Sequence, residues 1–390
     1  MGVENMGGKI LKTSMKEKVD QPFELLMASV KSTTSRYTYK THYNQFLKFS
    51  GMKDGQQLID TTPKKLTEII IAWILELKKE VSPNTIPSYL MVVKSFLEIN
   101  DIELKWKKIK KFYPARVKKS GQNAYSTEQV KKMLSVTRVL QHIALIHFYC
   151  STGCRVGAIF DETTNRPLCI GDLRDMPYDC QMVTVYPDTI EEYKTFLTPE
   201  AVIAIENYLS QRRNKGEILT KDSPVFATFH GKPMKAESVK QIIKRAISVS
   251  NVRGQTKNGR YAIQLMHGFR KRFNTIMKLN NSVNDNAIEK MMGHKNGLDG
   301  TYLQIPDDRL FEEFYKGMTD LTISSEERDQ ITITKLQNTV PKDQEIISQI
   351  MPKVMTKLRE ELGLDKITPE SVDTLSKQQL QNLVKNFVVN

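Results

Sequence analysis

The chain has 390 residues, of which 39% are hydrophobic and 26% are charged, a composition typical of globular proteins rather than disordered ones. Lysine and arginine together number 58, against 44 for aspartate and glutamate, and this surplus of fourteen favours a polyanionic partner such as nucleic acid. No apolar run reaches the roughly 18 residues of a transmembrane helix, and the polar N-terminus lacks the apolar segment of a secretion signal. Four cysteines are too few for a disulfide framework in a chain this long, so the sequence predicts a cytoplasmic protein.

The first part of the chain has only helical patterns. Residues 1–20 are polar and are predicted to form a flexible N-terminus. A clear helix start follows at Thr62, an N-cap, with Pro63 in the first helical position. A further helix covers about residues 84–99, where Pro87 leaves the start open. Because no alternation typical of strands occurs before residue 120, we predict an all-α domain over residues 21–104.

The segment that follows is strongly basic. Residues 105–119 read KWKKIKKFYPARVKK, with eight basic residues and no acidic one. Such runs are usually solvated, but the interleaved aromatic residues favour an extended strand that lies along a phosphate backbone. We therefore predict a basic interdomain linker at residues 105–120. Its expected nucleic-acid contacts are Lys107, Lys108, Lys110, Lys111, Arg116 and Lys118.

A second domain is predicted over residues 121–320. Ser126 and Gln129 form a capping box at its first helix, and an apolar helix follows at about residues 143–150. Strand candidates at residues 168–170, 182–186 and 194–197 precede a helix that begins at Thr198-Pro199 and runs to about Tyr208. The predicted fold is mainly α with one small antiparallel sheet, in the α+β class. Residues 321–390 form a predicted helical tail, with apolar stripes that require burial.

Four residues late in the second domain form an unusual set for packing. His267 and Arg270 are three apart, which places them on one helix face, and they precede His294 and Tyr302. Arginine offers a planar fork of donors that matches phosphate oxygens, histidine moves protons near neutral pH, and tyrosine can act as a covalent nucleophile. No carboxylate or thiol flanks either histidine at a metal-ligand spacing, so no metal and no cofactor is expected.

With Arg155 and Lys194 upstream, the set resembles the tyrosine recombinase (phage integrase) family over about residues 22–315. The segments that carry the resemblance are TGCR ending at Arg155, YKTFLTPEA around Lys194, HGFR, and MGH…TYL. One such motif occurs by chance, whereas the ordered set is specific. The segment GLDGTYL is most similar to integrases of archaeal mobile elements.

The resemblance implies a helical core-binding domain and a mixed catalytic domain that close around duplex DNA. It implies a site-specific recombinase or integrase that breaks and rejoins DNA without metal or ATP, as a homotetramer on paired sites and nucleoid-associated when bound. Two alternatives share the sequence features: a type IB topoisomerase-like enzyme and a catalytically silent DNA-binding relative.

The resemblance also implies a role for each residue of the set. Arg155 and Arg270 would grip the non-bridging oxygens of the scissile phosphate, and His294 would hydrogen-bond the same phosphate. His267 would accept the tyrosine proton, and Lys194 would protonate the leaving 5′-oxygen.

Tyr302 would form the 3′-phosphotyrosine. It lies eight residues after His294, a spacing similar to that of the family. Tyr315 is a second tyrosine nearby, but Phe311 and Phe314 beside it favour a packing role.

One departure from the family concerns the surroundings of Arg155. Family members often have an acidic residue three positions after this arginine, and here that position is Ala158. Asp161 or Glu162 could brace Arg155 instead, and the sequence leaves this open.

Overall fold

The computed structural model describes residues 20–117, 121–254, 261–294 and 303–337. These residues form two compact units. The first consists of the described parts of Met1–Ala124, Cys154–Asp172 and Leu219–Gly268, and the second of those of Tyr125–Gly153, Leu173–Ile218 and Phe269–Asn390. The division of the chain at residues 104, 120 and 320 that the sequence suggested stays a prediction.

The described residues are mainly helical. In chain order the α-helices are α1 Gln21–Ser29, α2 Thr33–Ser50, α3 Gly55–Ile59, α4 Pro63–Glu80, α5 Ile86–Ile99, α6 Trp106–Lys110, α7 Thr127–Ser135, α8 Leu140–Thr152, α9 Pro199–Asn214, α10 Ala236–Ser250, α11 His267–Leu279, α12 Asp285–Met291 and α13 Asp307–Leu321. Residues 325–337 are also helical. The strands are β1 Phe160–Asp161, β2 Arg166–Pro167, β3 Leu173–Met176, β4 Cys180–Val185 and β5 Tyr193–Leu197. None of these helices has both the length and the apolar character needed to cross a membrane.

Helices α1 to α6 share one hydrophobic core in the first unit. Leu66, Ile70 and Ile74 repeat along one face of α4 and are fully buried, as the helical period requires. Thr62 caps α4 through the N–H of Lys65, as the sequence predicts. Helix α5 begins at Ile86 with proline in its first turn, which resolves the open start.

The basic segment differs from its prediction as an extended strand. Residues 106–110 form the short helix α6, because Ile109 is fully buried in the core of the first unit and Trp106 and Tyr113 pack against that core. Burial of these apolar side chains on one side leaves the lysines between them exposed. Trp106 and Tyr113 therefore attach this segment to the helical core, whereas Phe112 and the described basic side chains are exposed.

Elsewhere in the first unit, β1 and β2 form a two-stranded antiparallel ribbon. The strand predicted at residues 168–170 is wrong. Cys169 makes only an isolated bridge to Pro224, and the chain turns at once because the Asp172 carboxylate accepts the N–H of Cys169 at 2.8 Å.

The second unit contains a three-stranded antiparallel sheet in the order β3-β4-β5. Strands β4 and β5 fall where the sequence predicts strands, whereas β3 was not predicted. Phe196 of β5 packs with Phe273 of α11 and Phe314 of α13 in the core of this unit. Helix α7 has the predicted capping box, and α9 begins at Pro199 as expected but extends beyond Tyr208 to Asn214.

Two buried charged residues hold the end of α13. The Glu200 carboxylate accepts the N–H groups of Ile323 and Ser324 at 2.7 and 3.0 Å, and Arg272 donates to the carbonyl of Leu321 at 3.0 Å. Because the exposed fractions of Glu200 and Arg272 are 9% and 2%, these hydrogen bonds form away from solvent, where losing one partner is costly.

Candidate active site

Arg270 is anchored between two helix ends of the second unit. It is 7% exposed, and its guanidinium donates to the carbonyls of Gly153 at 2.8 Å and Met292 at 2.6 Å. Gly153 ends α8 and Met292 ends α12. Helix ends leave carbonyls without a partner and carry partial negative charge. The arginine satisfies both, so the fold fixes its position before any substrate arrives.

The two glycines of the motifs TGCR and MGH make this arrangement possible. Gly153 and Gly293 have φ angles of +59° and +62°, a left-handed conformation that glycine adopts without strain. A Cβ at Gly153 would lie 2.6 Å from the ring of Phe273, and one at Gly293 would lie 2.5 Å from the ring of Tyr193. Both positions require glycine for conformation and for space.

His294 is placed by the way α12 ends. The N–H of His294 donates to the carbonyl of Glu289, and the N–H of Gly293 donates to that of Lys290. This pair of bonds around a left-handed glycine is a Schellman motif. It brings the side chains of His294 and Glu289 together, although they are five residues apart in the sequence.

The hydrogen bonds of His294 define its tautomer. Nε2 lies 2.6 Å from a guanidinium nitrogen of Arg270, and Nδ1 contacts the Glu289 carboxylate. Arginine can only donate and an ionised carboxylate can only accept. The neutral ring therefore carries its proton on Nδ1 and offers the Nε2 lone pair to Arg270. The His294 side chain is 34% exposed, so the pair is accessible from solvent.

Glu289 is a residue of this site that the sequence reasoning missed. Lys278 pairs with one of its oxygens and His294 with the other. Burial alone acts to raise the pKa of Glu289, but the hydrogen bonds from Lys278 and His294 outweigh it and hold the pKa below its usual value. Gly293, the glycine after α12, was the available signal. In a Schellman motif the residue after the glycine, here His294, hydrogen-bonds the residue four positions before the glycine, here Glu289.

Lys194 lies on β5 and is held by a carboxylate that was also not predicted. Its ammonium is 2.9 and 3.0 Å from the two oxygens of Asp307. Arg174 of β3 also contacts this carboxylate, at 3.2 Å. Asp307 is the first residue of α13, where negative charge is favourable. The Asp307 carboxylate thus binds both Lys194 and Arg174, and Lys194 remains partly exposed.

Arg155 and His267 belong to the first unit. Arg155 precedes a short 3-10 helix, Val156–Ile159, and its side chain is exposed. His267 is the first residue of α11, one turn before Arg270, and is exposed.

The position that is often acidic in the family has a buried alanine here, Ala158. Of the two candidate braces, Asp161 binds within its own turn, accepting from the Thr163 N–H at 2.9 Å and the Thr164 hydroxyl at 2.7 Å. These contacts are local to the turn, and the bracing of Arg155 by Asp161 or Glu162 stays a prediction.

Tyr302 and Lys118 lie outside the described residues, as does the tail beyond residue 337. Tyr315 is described, and its ring stacks on that of Tyr178 at 4.4 Å with the Lys335 ammonium 4.8 Å from its centroid. Burial raises the pKa of Tyr315. These contacts agree with the packing role expected of Tyr315.

Two further features bear on ligands. Of the predicted nucleic-acid contacts in the basic segment, Lys107, Lys108, Lys110, Lys111 and Arg116 are exposed in the first unit. Within the ranges that the structure describes, no three His, Cys, Asp or Glu side chains are grouped so as to hold a metal ion.

Comparison with known proteins gives one family and many similar folds. The family model described as the phage integrase family matches residues 124–299. The chain is similar to the Tn1549 transposon integrase in complex with transposon right-end DNA, with 16% identity and a TM-score of 0.52 over 75% of this chain and 96% of that chain. It is also similar to a lambda integrase dimer bound to a COC′ core site, with 15% identity and a TM-score of 0.50 over 74% of this chain and 97% of that chain. No curated protein matches the chain.

The structural likenesses show a shared fold, with the small antiparallel sheet and surrounding helices described above. The family match covers the helices and strands that hold Arg270, His294 and Lys194. Residues 124–299 thus match the phage integrase family model, and this match supports the assignment of the chain as a site-specific tyrosine recombinase.

Proposed function

We propose that this recombinase cleaves and rejoins duplex DNA through a 3′-phosphotyrosyl link to Tyr302, with Arg270 and His294 binding the scissile phosphate. The observation that carries the proposal is the way in which the Arg270 guanidinium is held. Its guanidinium is fixed by two backbone carbonyls and touches an imidazole that solvent can reach. In-line attack on a phosphodiester builds negative charge on the equatorial oxygens, and donors fixed in advance stabilise that charge at little reorganisation cost.

The remaining residues receive roles from the same chemistry. Arg155 would complete the phosphate grip, His267 would accept the Tyr302 proton, and Lys194 would protonate the leaving 5′-oxygen. The covalent link preserves the energy of the broken phosphodiester, so rejoining needs no ATP. The chemical step draws on these side chains alone, and we expect cleavage to proceed in EDTA.

The experiment is the capture of the covalent intermediate on a nicked suicide substrate. We expect wild-type protein to form the adduct and Tyr302→Phe to form none, while it still binds DNA. Tyr315→Phe is the matched control, because it removes the same oxygen from a tyrosine with a packing role, and it should form the adduct. A Tyr302→Phe protein that forms adduct, with a Tyr315→Phe protein that does not, would reverse the assignment of the nucleophile.

We also propose that the enzyme works as a homotetramer on two paired DNA sites. The two solved integrases named above are in complex with DNA, and one of them is a lambda integrase dimer on a core site. The predicted tail stripes at residues 344–390 would pack on a neighbouring subunit. Light scattering of the complex with paired sites tests this, comparing the full chain with a chain truncated after Gln337, which should cleave single sites yet fail to assemble.

We further propose an origin in an archaeal mobile element, which the likeness of the segment GLDGTYL supports, and a location on DNA in the cytoplasm, which the small number of cysteines supports. Direct repeats that flank the gene and resemble attachment sites would support this origin, and their absence would count against it.

A further inference from the structure

The Schellman end of α12 gives His294 a carboxylate partner. Both oxygens of Glu289 are engaged, one by Lys278 of α11 and the other by Nδ1 of His294. On the opposite side of the ring, Arg270 of α11 donates to Nε2 at 2.6 Å. Lys278 and Arg270 are thus cations that hydrogen-bond with Glu289 and His294, and the uncharged ring of Tyr193 on β5 packs at Gly293.

This arrangement conflicts with the simplest form of phosphate binding. A phosphate oxygen only accepts hydrogen bonds, whereas Nε2 of the neutral ring is itself an acceptor. If the phosphate replaced Arg270 at Nε2, two lone pairs would face each other. His294 can bind the phosphate only after Nε2 acquires a proton.

Two routes would put a proton on Nε2. In the first, the proton moves from Nδ1 to Nε2. Nδ1 then carries a lone pair that faces the Glu289 carboxylate, so two acceptors are in contact. In the second, the ring keeps its Nδ1 proton and takes up another from solvent. Glu289 opposes the first route and favours the second, because a cation beside its ionised oxygen gains a charge-assisted hydrogen bond.

We propose that Glu289 is a positioning residue that keeps the proton on Nδ1, so that His294 takes up one solvent proton at Nε2 when the scissile phosphate binds and meets it as an imidazolium. The new Nε2–H bond uses one proton taken up from solvent, and this proton returns to solvent when the phosphate leaves. The two carbonyl anchors keep the Arg270 guanidinium in place, and the phosphate takes the place of Nε2 as the acceptor of its N–H group. This inference rests on the proposed phosphate contact of His294.

The test is the pH dependence of adduct formation under single turnover, for the wild type and Glu289→Gln. The wild-type rate should fall by about tenfold per pH unit on the alkaline side, as the loss of one required proton dictates. Glu289→Gln is close in size, and its amide N–H can donate to Nδ1 once the phosphate replaces Arg270 at Nε2, which leaves the neutral ring with its proton on Nε2. Its alkaline decline should be much shallower, with a lower rate at neutral pH because the imidazolium is lost.

Glu312→Gln is the matched control, since Glu312 forms an exposed ion pair with Arg309 at 2.7 Å. It should reproduce the wild-type profile, and thermal melting checks that both variants fold. If Glu289→Gln and the wild type have the same profile, the inference is overturned while the proposed function stands.

A second readout does not depend on cleavage. Nitrogen-15 NMR of the imidazole should show the proton on Nδ1 of His294 in the DNA-free wild type. In the DNA complex it should show protons on both nitrogens in the wild type and on Nε2 alone in Glu289→Gln. A wild-type ring protonated on Nε2 alone would also overturn the inference. Absence of any Tyr302-dependent adduct at every pH would instead count against the proposed function, and the NMR result would still decide the tautomer.

Discussion

Arg270 and Lys194 are two cations of the same unit, and the fold holds them in different ways. Arg270 is buried, and two backbone carbonyls at helix ends fix its guanidinium. Lys194 is partly exposed and is held by a side-chain carboxylate, Asp307. Carbonyl anchors leave the arginine its full charge, whereas the carboxylate neutralises the lysine and must release it before it can donate a proton elsewhere. The difference suits a fixed phosphate grip on one side and a mobile proton donor on the other.

The largest effect should come from breaking the fixed cation. Arg270→Lys keeps the charge but loses the planar fork, so we expect single-turnover cleavage to fall by about two to three orders of magnitude, as for one preorganised oxyanion donor. Thermal stability should also fall, because the carbonyls of Gly153 and Met292 lose their donors.

Arg155→Lys is the matched control for that result, since Arg155 is exposed. It should reduce cleavage similarly with little change in melting temperature, and both variants should retain most DNA affinity. A loss confined to DNA affinity, with normal cleavage, would contradict the assigned role.

Lys194 should behave as a proton donor that can be replaced. Lys194→Ala should slow cleavage by about a hundredfold, within the range of general acid catalysis. A substrate with sulfur at the bridging 5′ position should restore most of the rate, because a thiolate leaves without a proton. No restoration would mean that the lysine acts by charge alone.

Asp307, the partner of Lys194, tests whether a carboxylate restrains this lysine in a way that the carbonyls do not restrain Arg270. Asp307→Asn removes the carboxylate that competes for the ammonium, and we expect single-turnover cleavage to become faster. A decline as large as that of Lys194→Ala would show that Asp307 orients the lysine rather than restraining it.

A stability prediction concerns the glycine beside His294. Gly293→Ala should cost about 1–3 kcal/mol of unfolding free energy for its left-handed conformation, with a further loss from the contact at Tyr193. Gly216→Ala separates the two causes, because Gly216 has a φ of +87° and no atom within 4 Å of an added Cβ. Equal losses in denaturant titrations would show that the contact with Tyr193 has no cost.

The smallest effect on chemistry should come from the basic segment, which is far from both cations in sequence. Replacing Lys107, Lys108, Lys110 and Lys111 by alanine should flatten the slope of log affinity against log salt by up to about three to four units, since each phosphate that a lysine neutralises adds about −0.9 to that slope. The rate of cleavage at saturating protein should stay close to that of the wild type. An unchanged salt slope would show that these lysines are only solvated.

Local signals in the sequence predicted much of the fold. The caps at Thr62 and Ser126, the helix start at Pro199 and the strands β4 and β5 were predicted because each depends on a few neighbouring residues. The extended form expected of residues 105–119 was wrong over α6, because burial of Ile109 depends on a core formed by distant helices. Strand β3 was missed because it has little apolar alternation of its own and depends on pairing with β4.

The candidate site was predictable in its residue types and less so in its supports. The ordered set of Arg155, Lys194, Arg270 and His294 was visible as a pattern. Asp307 was not, because its contact with Lys194 joins residues 113 positions apart. Glu289 could have been predicted as the partner of His294 from the Schellman glycine Gly293. The rules for helix ends thus predict side-chain partners as well as helix boundaries.

The account depends most directly on which atom joins the DNA. Wild-type adduct from a suicide substrate can be digested with protease and its DNA-linked peptide sequenced by mass spectrometry. The account predicts a nucleotide phosphate on Tyr302. A phosphate on Tyr315, on another side chain or on none would contradict it.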